Sequence, residues 1–421
     1  MNLLVDTTPL RVSRDFRLLW IGQAVSLLGS MITTAALPYQ VFHLTGSSVD
    51  VGLLGAVQLG PMLVFSVVGG ALADHFDKRR MLLTVTAAAM VSSGLLALNA
   101  SLDHPHMWVL YVLGAVASAI IALSFPVLRS LLPLLLESEL RPAAFALQSI
   151  YGSFGMMAGP AVAGVLIGAF GLATAYAVDV ATYVVAVVVF AGIASAPPVA
   201  ATGGREPTSS ILGGLRFLRG HSVVMSIFGI DFMAMVFGMP RALFPALSER
   251  LGGGPGLYGL LLSSVAAGAF LASISSGWTG RVRRQGRAVL IAVAVWGTTI
   301  AVAGASHSAP VVLLMLASAG AADMISGVYR STIAADVTPD DLRGRVSGVE
   351  FAVYAGGPVL GDIEAGIVGG LVSLPFAIVS GGIACVVGAG IFAVRVRSFA
   401  TYIGARHIEA VPAVDPTTAP A

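Results

Sequence analysis

The sequence predicts an all-α membrane protein: twelve transmembrane helices in two six-helix halves related by a pseudo-twofold axis. Three observations predict it. First, 57% of the 421 residues are hydrophobic and only 10% are charged, whereas an ordinary soluble domain carries about 25% charged residues to cover its surface. Soluble enzymes, nucleic-acid binders and disordered chains are excluded on that ground. Second, apolar stretches long enough to cross a bilayer, about 20 residues each, alternate with basic loops. Third, the chain repeats itself at half its length.

The spans are read at 18–44, 50–73, 81–100, 107–128, 143–168, 171–196, 221–248, 256–280, 288–307, 310–329, 346–371 and 374–394. The first is too long for a cleavable signal peptide, and more spans follow it. Cytoplasmic loops carry the excess of Lys and Arg, so the basic residues set the orientation. With both termini in the cytoplasm, 21 of the 23 fall on the cytoplasmic side. Arg11, Arg14 and Arg17 precede span 1, and Lys78, Arg79 and Arg80 fill loop 2–3. Arg129 and Arg141 fall in loop 4–5, and Arg205, Arg216 and Arg219 between spans 6 and 7. Loop 8–9 holds Arg281, Arg283, Arg284 and Arg287, and loop 10–11 holds Arg330, Arg343 and Arg345. Arg395, Arg397 and Arg406 follow span 12. The exceptions are Arg241, inside span 7, and Arg250, in the outer loop 7–8. A wrong number of spans would scramble this alternation.

The halves are residues 1–196 and 221–396. The Pro-, Gly- and Ser-containing segment 197–220 reads as a cytoplasmic linker, and 397–421 as a cytoplasmic tail, largely disordered from Ala405 onward. Arg129-Ser130, Leu140-Arg141 and Gly159-Pro160 recur as Arg330-Ser331, Leu342-Arg343 and Gly357-Pro358, the arginines 201 residues apart. Parallel six-helix repeats with a site between them near the midplane are a transporter architecture; chance similarity in apolar sequence is the plainer reading of the repeat. The single cysteine, Cys385, excludes an internal disulfide and a cysteine metal cluster. The single lysine, Lys78, follows Asp77, so no Gly-Lys phosphate loop is present.

Two motifs stand out. Loop 2–3 reads Gly70-Ala71-Leu72-Ala73-Asp74-His75-Phe76-Asp77-Lys78-Arg79-Arg80. A glycine four residues before an aspartate ends a helix with close packing, and an acid beside a basic turn can accept bonds from a helix N-terminus in the other half. An ordinary positive-inside loop is the plainer reading. Loop 8–9 carries a degraded copy, Gly277 to Arg281, with arginine in place of the acid. Span 5 contains Gly155, Gly159, Pro160 and Gly164. Small residues at four-residue spacing let helices approach closely, and the proline removes one backbone hydrogen bond; generic membrane-helix packing explains them too. Gly356-Gly357-Pro358 gives span 11 a similar break.

Together these motifs resemble the major facilitator superfamily. The loop 2–3 run is similar to its signature, with His75 where Arg or Lys is usual and Asp77 where Gly is usual. The span 5 run is similar to the GxxxGPxxGG element of its antiporters, with Ala163 for a glycine. Arg14-Asp15-Phe16-Arg17, Pro133 with Leu140-Arg141, and Leu243-Phe244-Pro245-Ala246-Leu247 recur in the same order in its drug:proton antiporter-3 subgroup, which includes enterobactin-exporter-like and Tap-like multidrug efflux pumps. The resemblance covers residues 11–396, and Arg241 ahead of Leu243 is more similar to the enterobactin-exporter branch. It implies the major facilitator fold, a cavity lined by spans 1, 4, 7 and 10, and a conformational lock built from Gly70, Asp74, Lys78, Arg79 and Arg80. It also implies an exporter element built from Gly155, Gly159, Pro160 and Gly164. The superfamily often partners loop 2–3 with an acid of span 4, but 107–136 contains none. Asp74 is expected to rest near Arg343-Gly344-Arg345 when the protein is outward-open.

Acids inside spans are costly and are functional candidates by default. Asp231 lies about 15–20 Å along span 7 and Asp323 about 20 Å from the outer end of span 10, so both are candidates for proton or cation binding; a structural interhelical bond is the alternative. Arg330, seven residues from Asp323 on nearly one helical face, can hold that carboxylate ionised. Arg241 can snorkel outward, bind an anionic substrate, or pair with Asp362 or Glu364, which point to different faces of span 11. Glu350 sits one to two turns inside span 11, and Asp179 in the peripheral span 6 reads as structural. Gln23, Tyr39 and Gln40 offer neutral polar contacts in span 1.

The expected function is a proton-coupled antiporter exporting small amphipathic compounds across a bacterial cytoplasmic membrane. It is not an enzyme, needs no cofactor, draws on the proton gradient, and acts as a monomer on a small-molecule substrate within the lipid bilayer, without nucleic acid. Met156, Met157, Met233, Met235 and Met239 suit adaptable multidrug cavity walls. Siderophore export, which favours a cationic contact such as Arg241, is the alternative. A non-transporting sensor of the same fold would append a soluble domain, and none is read here.

Overall fold

The computed structural model describes residues 6–194, 221–339 and 342–404. Twelve long helices occupy the twelve spans, and no described residue lies in a strand. The first half holds α1 (Arg14–Thr45), α2 (Ser48–His75), α3 (Lys78–Ala100), α4 (Met107–Leu135), α5 (Arg141–Phe170) and α6 (Leu172–Ala191). The second holds α7 (Ser222–Gly238), α8 (Gly254–Ile274), α9 (Gln285–Ala305), α10 (Ala309–Val337), α11 (Arg343–Leu371) and α12 (Leu374–Arg395). In hydrocarbon every backbone polar group must be paired within its own segment, which a helix achieves alone. Eleven of these segments are long and apolar enough to cross a bilayer. The twelfth is α11, whose 29 residues include Glu350, Asp362 and Glu364.

The turns are short because the helix ends are capped locally. Ser13 Oγ accepts the Phe16 amide at 3.1 Å to start α1, and Gly46, at φ 65°, ends it by donating to the Phe42 carbonyl at 2.7 Å. Only a residue without Cβ adopts that left-handed turn cheaply. Asp77, which stands where the signature usually has glycine, caps α3: its Oδ1 accepts the Arg80 amide at 2.8 Å.

Three departures from the sequence reading matter. α4 and α10 run about two turns beyond spans 4 and 10, to Leu135 and Val337. Arg129 and Arg330 therefore belong to helices, not to the loops that arginine placement suggested. Span 7 is broken: α7 ends at Gly238, and after Met239 and Pro240 a 3-10 turn (Arg241–Leu243) leads into a short helix, Phe244–Arg250. Pro240 supplies no amide hydrogen to continue the ladder. Third, part of the tail is folded: Phe399, in the helical turn Arg397–Ala400, is fully buried, and the Gly404 amide donates to the Arg283 carbonyl at 3.3 Å. The linker assigned to 197–220 and the tail from 405 lie outside the described residues.

With an even number of spans, both chain ends share one face of the bundle. The halves meet along two seams, α2 with α11 and α5 with α8, and both seams are tightest toward the far face. A Cβ on Gly164 would come within 2.6 Å of the Pro255 carbonyl oxygen, and one on Gly259 would strike the Pro160 carbonyl. The second seam mirrors the first: a Cβ on Gly366 would come within 2.6 Å of the Ser48 carbonyl oxygen, and one on Gly52 within 2.9 Å of that of Asp362. Between the seams Tyr258 of α8 crosses to α1, donating its hydroxyl to the Ala35 carbonyl at 3.0 Å and packing 5.3 Å from the Tyr39 ring. No contact of comparable extent joins α4 to α10 among the described residues. Among the described residues, the closest glycine-to-carbonyl approaches between the halves lie toward the far face.

The internal repeat is visible in packing. Met31 of α1 lies on Gly159 of α5, and Met235 of α7 lies on Gly357 of α11. From there to the seam glycine is five residues in α5 (Gly159 to Gly164) but nine in α11 (Gly357 to Gly366). The difference is about one helical turn, and that additional turn carries Asp362.

Candidate functional site

Arg330 joins the two acids singled out in the sequence. Its Nη1 stands 2.5 Å from Asp231 Oδ1 on α7, and its Nη2 stands 3.7 Å from Asp323 Oδ1, two turns away on α10 itself. The contact with Asp231 is one of charges at close range, without the alignment of a hydrogen bond. Asp231 and Arg330 are largely buried, their side chains 11% and 12% exposed, while Asp323 is 44% exposed. An ionised carboxylate at this depth needs a counter-charge, and Arg330 supplies it from the neighbouring helix. Glu350 of α11 acts on Asp231 electrostatically, and Tyr354, one turn further along α11, lies within range of both aspartates.

The second ion pair is separate. Arg241 Nη2 donates to Asp362 Oδ2 at 2.9 Å, and the Ala242 amide donates to Asp362 Oδ1 at 3.0 Å. One carboxylate thus neutralises the arginine and also caps the 3-10 turn that follows the α7 break. Of the three fates open to Arg241, the structure shows the pairing, and of the two acids it selects Asp362. Glu364 is half-buried and makes no hydrogen bond or ion pair among the described residues.

Asp179 of α6 is satisfied differently. It is fully buried, and its carboxylate accepts hydroxyl hydrogen bonds from Thr33 of α1 at 2.5 Å and Ser93 of α3 at 2.7 Å. No cation approaches it among the described residues. The span 1 polar residues also serve packing: Gln40 is 1% exposed and its Oε1 accepts the Tyr176 hydroxyl at 2.8 Å.

The glycines of span 5 divide between two tasks. Gly155 faces Leu27 and Gly159 faces Met31, both on α1 of the same half, whereas Gly164 and the Pro160 carbonyl face α8 across the seam. Gly70 and Asp74 fall in α2, but their side chains, with those of Arg343 and Arg345, lie outside the described residues. Lys78 and Arg79 lie at the start of α3, Lys78 buried and Arg79 donating to the Ala191 carbonyl at 2.5 Å; Arg80 is exposed. Two of the methionines assigned to a cavity wall are core fillers instead: Met233 lies against Gly388 of α12, and Met235 is 7% exposed. Their helix turns that side toward its own half.

Sequence reasoning singled out Asp231 and paired Arg330 with Asp323 by helical spacing, but missed the contact between Arg330 and Asp231, because no spacing rule connects residues on different helices. It also passed over Tyr354 and over Ser326, whose buried Oγ has no hydrogen-bond partner among the described residues and which lies between Asp323 and Arg330 on one face of α10.

Comparison with known proteins supplies the context for this geometry. Residues 6–412 match the family described as transmembrane secretion effector. The chain is 25% identical over 410 residues to the enterobactin exporter EntS of Escherichia coli (strain K12), covering 97% of each, and 26% identical over 369 residues to that of Shigella boydii serotype 18, covering 87% and 88%. Among solved structures it resembles a POT family transporter in complex with 5-aminolevulinic acid (TM-score 0.72, 11% identity, 92% of this chain and 97% of that one). It also resembles a bacterial homologue of the human lysosomal transporter Spinster in an inward-facing, unoccupied conformation (TM-score 0.65, 15% identity, 92% and 97%). At those identities the structural likeness speaks for the fold alone.

Proposed function

Because the chain belongs to the transmembrane secretion effector family, within the major facilitator superfamily of transporters, we propose that it is a proton-coupled antiporter exporting small amphipathic compounds across the bacterial cytoplasmic membrane. Both termini are cytoplasmic in this reading, following the arginine distribution. The observation that carries the coupling is the Asp231–Arg330–Asp323 cluster, where one guanidinium is shared between a buried acid and an exposed one. A proton on Asp231 removes its hold on Arg330 and leaves the arginine to Asp323. Neutralising the buried charge lowers the cost of moving it past apolar surface, which biases one conformation over the other. The proton gradient supplies the energy, and the working unit is the monomer.

The test is efflux from energised everted vesicles, with and without a protonophore. Asp231→Asn should abolish uphill export while leaving downhill exchange. Full proton-driven export in both Asp231→Asn and Asp323→Asn would exclude these acids from coupling.

Siderophore export is a second reading, favoured by the name of the relatives. Its one anchor in this sequence, Arg241, is occupied by Asp362, which weakens the anionic case. Export of a catecholate siderophore from the same vesicles, lost in Arg241→Gln while other substrates are spared, would favour it.

A further inference from the structure

The terminal ends of α9 and α12 carry arginines that the fold leaves without partners. Arg281, Arg283, Arg284 and Arg287 lie just before and within the first turn of α9, and Arg395 and Arg397 at the end of α12. The chain after α12 brings the two groups together. It turns back across α9, where the Phe399 carbonyl lies so close to Gly286 that a Cβ there would strike it, and the Gly404 amide donates to the Arg283 carbonyl at 3.3 Å. All six arginines are exposed, and none makes a side-chain hydrogen bond or ion pair among the described residues. Cations crowded at the positive end of a helix repel one another and the helix dipole, so an anion would relieve this surface. The rest of the terminal face of this half supplies no excess of one. Glu206, Asp336, Asp340, Asp341, Glu409 and Asp415 are matched in number by Arg205, Arg216, Arg219, Arg343, Arg345 and Arg406. Of those acids, Asp336 acts electrostatically on Tyr402 of the returning chain.

Beyond the arginines both helices become apolar. Arg287, Ile291 and Val295 recur every four residues along α9, and Val387, Ile391 and Arg395 along α12, so each arginine heads a stripe of exposed aliphatic side chains. From Arg287 to Val295 the stripe runs about 12 Å, enough for the upper part of an acyl chain. The two helices are neighbours: a Cβ on Gly297 would come within 2.5 Å of the Gly382 carbonyl oxygen. Trp278, exposed and three residues before Arg281, is of the type that settles at headgroup level. The matching ends in the first half differ. Lys78 is buried, Arg79 bonds to the Ala191 carbonyl, and α6 has no basic residue in its last turn.

We propose that this end of α9 and α12 binds an anionic phospholipid, its phosphate held between Arg287 and Arg395 with Arg283 and Arg397 beside them, and its acyl chains laid along the two stripes. The occupant is a lipid rather than a free anion because the cationic surface continues directly into exposed apolar surface. α9 and α12 pack against helices of their own half, so the site is separate from the Asp231–Arg330–Asp323 cluster and does not rest on the export reading.

Native mass spectrometry of the full-length protein in detergent, titrated with phosphatidylglycerol and with phosphatidylcholine of the same chains, tests it. Saturable binding of phosphatidylglycerol is expected, without saturable binding of phosphatidylcholine. Arg287→Gln combined with Arg395→Gln should weaken it by on the order of thirtyfold, taking the membrane-surface value for each arginine. Lysine at both positions should keep most of the affinity, since an ammonium also meets a phosphate. Arg11→Gln combined with Arg17→Gln removes two exposed arginines of the first half and should change nothing. Equal binding of the two lipids overturns the proposal, as does affinity unchanged in the glutamine variant at 287 and 395 or equally weakened in the first-half control. Displacement of the lipid by inorganic phosphate at equal concentration would show a free-anion site and overturn the lipid assignment. Thermal unfolding checks the fold of each variant. Ile291→Ser combined with Ile391→Ser keeps every arginine and should also weaken the lipid; unchanged binding there counts against the stripes even if the glutamine variant does not fold. Export plays no part in the measurement, so its outcome and that of the antiport reading stand apart.

Discussion

Asp179 and Asp231 are both aspartates inside membrane-spanning helices, 0% and 8% exposed, yet the two halves accommodate them in opposite ways. The first half surrounds Asp179 with hydroxyls from α1 and α3 and gives it no counter-charge among the described residues. The second half sets Asp231 against Arg330, shares that arginine with Asp323, and leaves part of the cluster exposed. Hydroxyl donors fix a carboxyl group in place and ask nothing more of it. An arginine shared between two acids has two arrangements of similar chemistry, and that is what a proton can choose between. The halves share their seams and their methionine-on-glycine packing, so the contrast between these two acids lies in the side chains that surround them.

The comparison breaks most visibly at Arg330. Arg330→Met leaves Asp231 buried without its cation, and removing one partner of a buried pair costs about 3–5 kcal/mol. The thermal midpoint of the purified protein should fall markedly and export should vanish. Adding Asp231→Leu should restore most of the stability but not the export. A double variant that exports normally would show that the cluster is structural, like the site of Asp179.

Next comes the clasp at the α7 break. Asp362→Ala strands Arg241 and the Ala242 amide, a loss of about 1–3 kcal/mol for the unsatisfied groups. Both the thermal midpoint and all substrates should suffer alike, since no substrate contact is removed. Selective loss of one substrate class would instead place Arg241 in recognition.

The seams offer a cleaner test of likeness between the halves. Gly164→Ala and Gly366→Ala each set a methyl group within 2.6 Å of a carbonyl oxygen of the other half, so each should push the far face apart. Cysteine pairs placed across the far-face seams should cross-link less in both variants. Unchanged yields would mean that the helices can slide at no cost.

The smallest effect is expected at Asp179. Thr33 and Ser93 both donate to the same oxygen, Oδ2, which the amide oxygen of Asn can replace, so Asp179→Asn should cost about 1 kcal/mol and leave proton-driven export intact. Loss of coupling there would move the functional acid into the first half and overturn the contrast.

Particular residues show where sequence reading ended. The order of helices was legible because each span must be apolar along its length and carry its own hydrogen bonds. Their ends were less so: α4 and α10 extend past Arg129 and Arg330, since an arginine can remain in a helix when its head reaches a partner or water. Asp77 looked like a departure from a motif until its amide partner showed it to be a cap. Met233 and Met235 have the composition of a cavity wall, but composition carries no direction, and their face of α7 is turned toward α12 and α11. The fate of Arg241 was narrowed to three choices by chemistry and decided by one additional turn in α11.

The sequence by itself determined that this chain crosses a membrane many times, that its two halves repeat, and which few charged residues the bilayer must accommodate. These follow from transfer free energies and periodicity, which act residue by residue along the chain. Only the tertiary structure decided which charges meet. The Asp231–Arg330 contact joins α7 to α10, Arg241 and Asp362 join a broken helix to an extended one, and Asp179 gathers hydroxyls from two other helices. A side chain's partner depends on the rotation and depth of a helix distant in sequence, and those are fixed by glycines packed against carbonyls at the seams rather than by any local pattern.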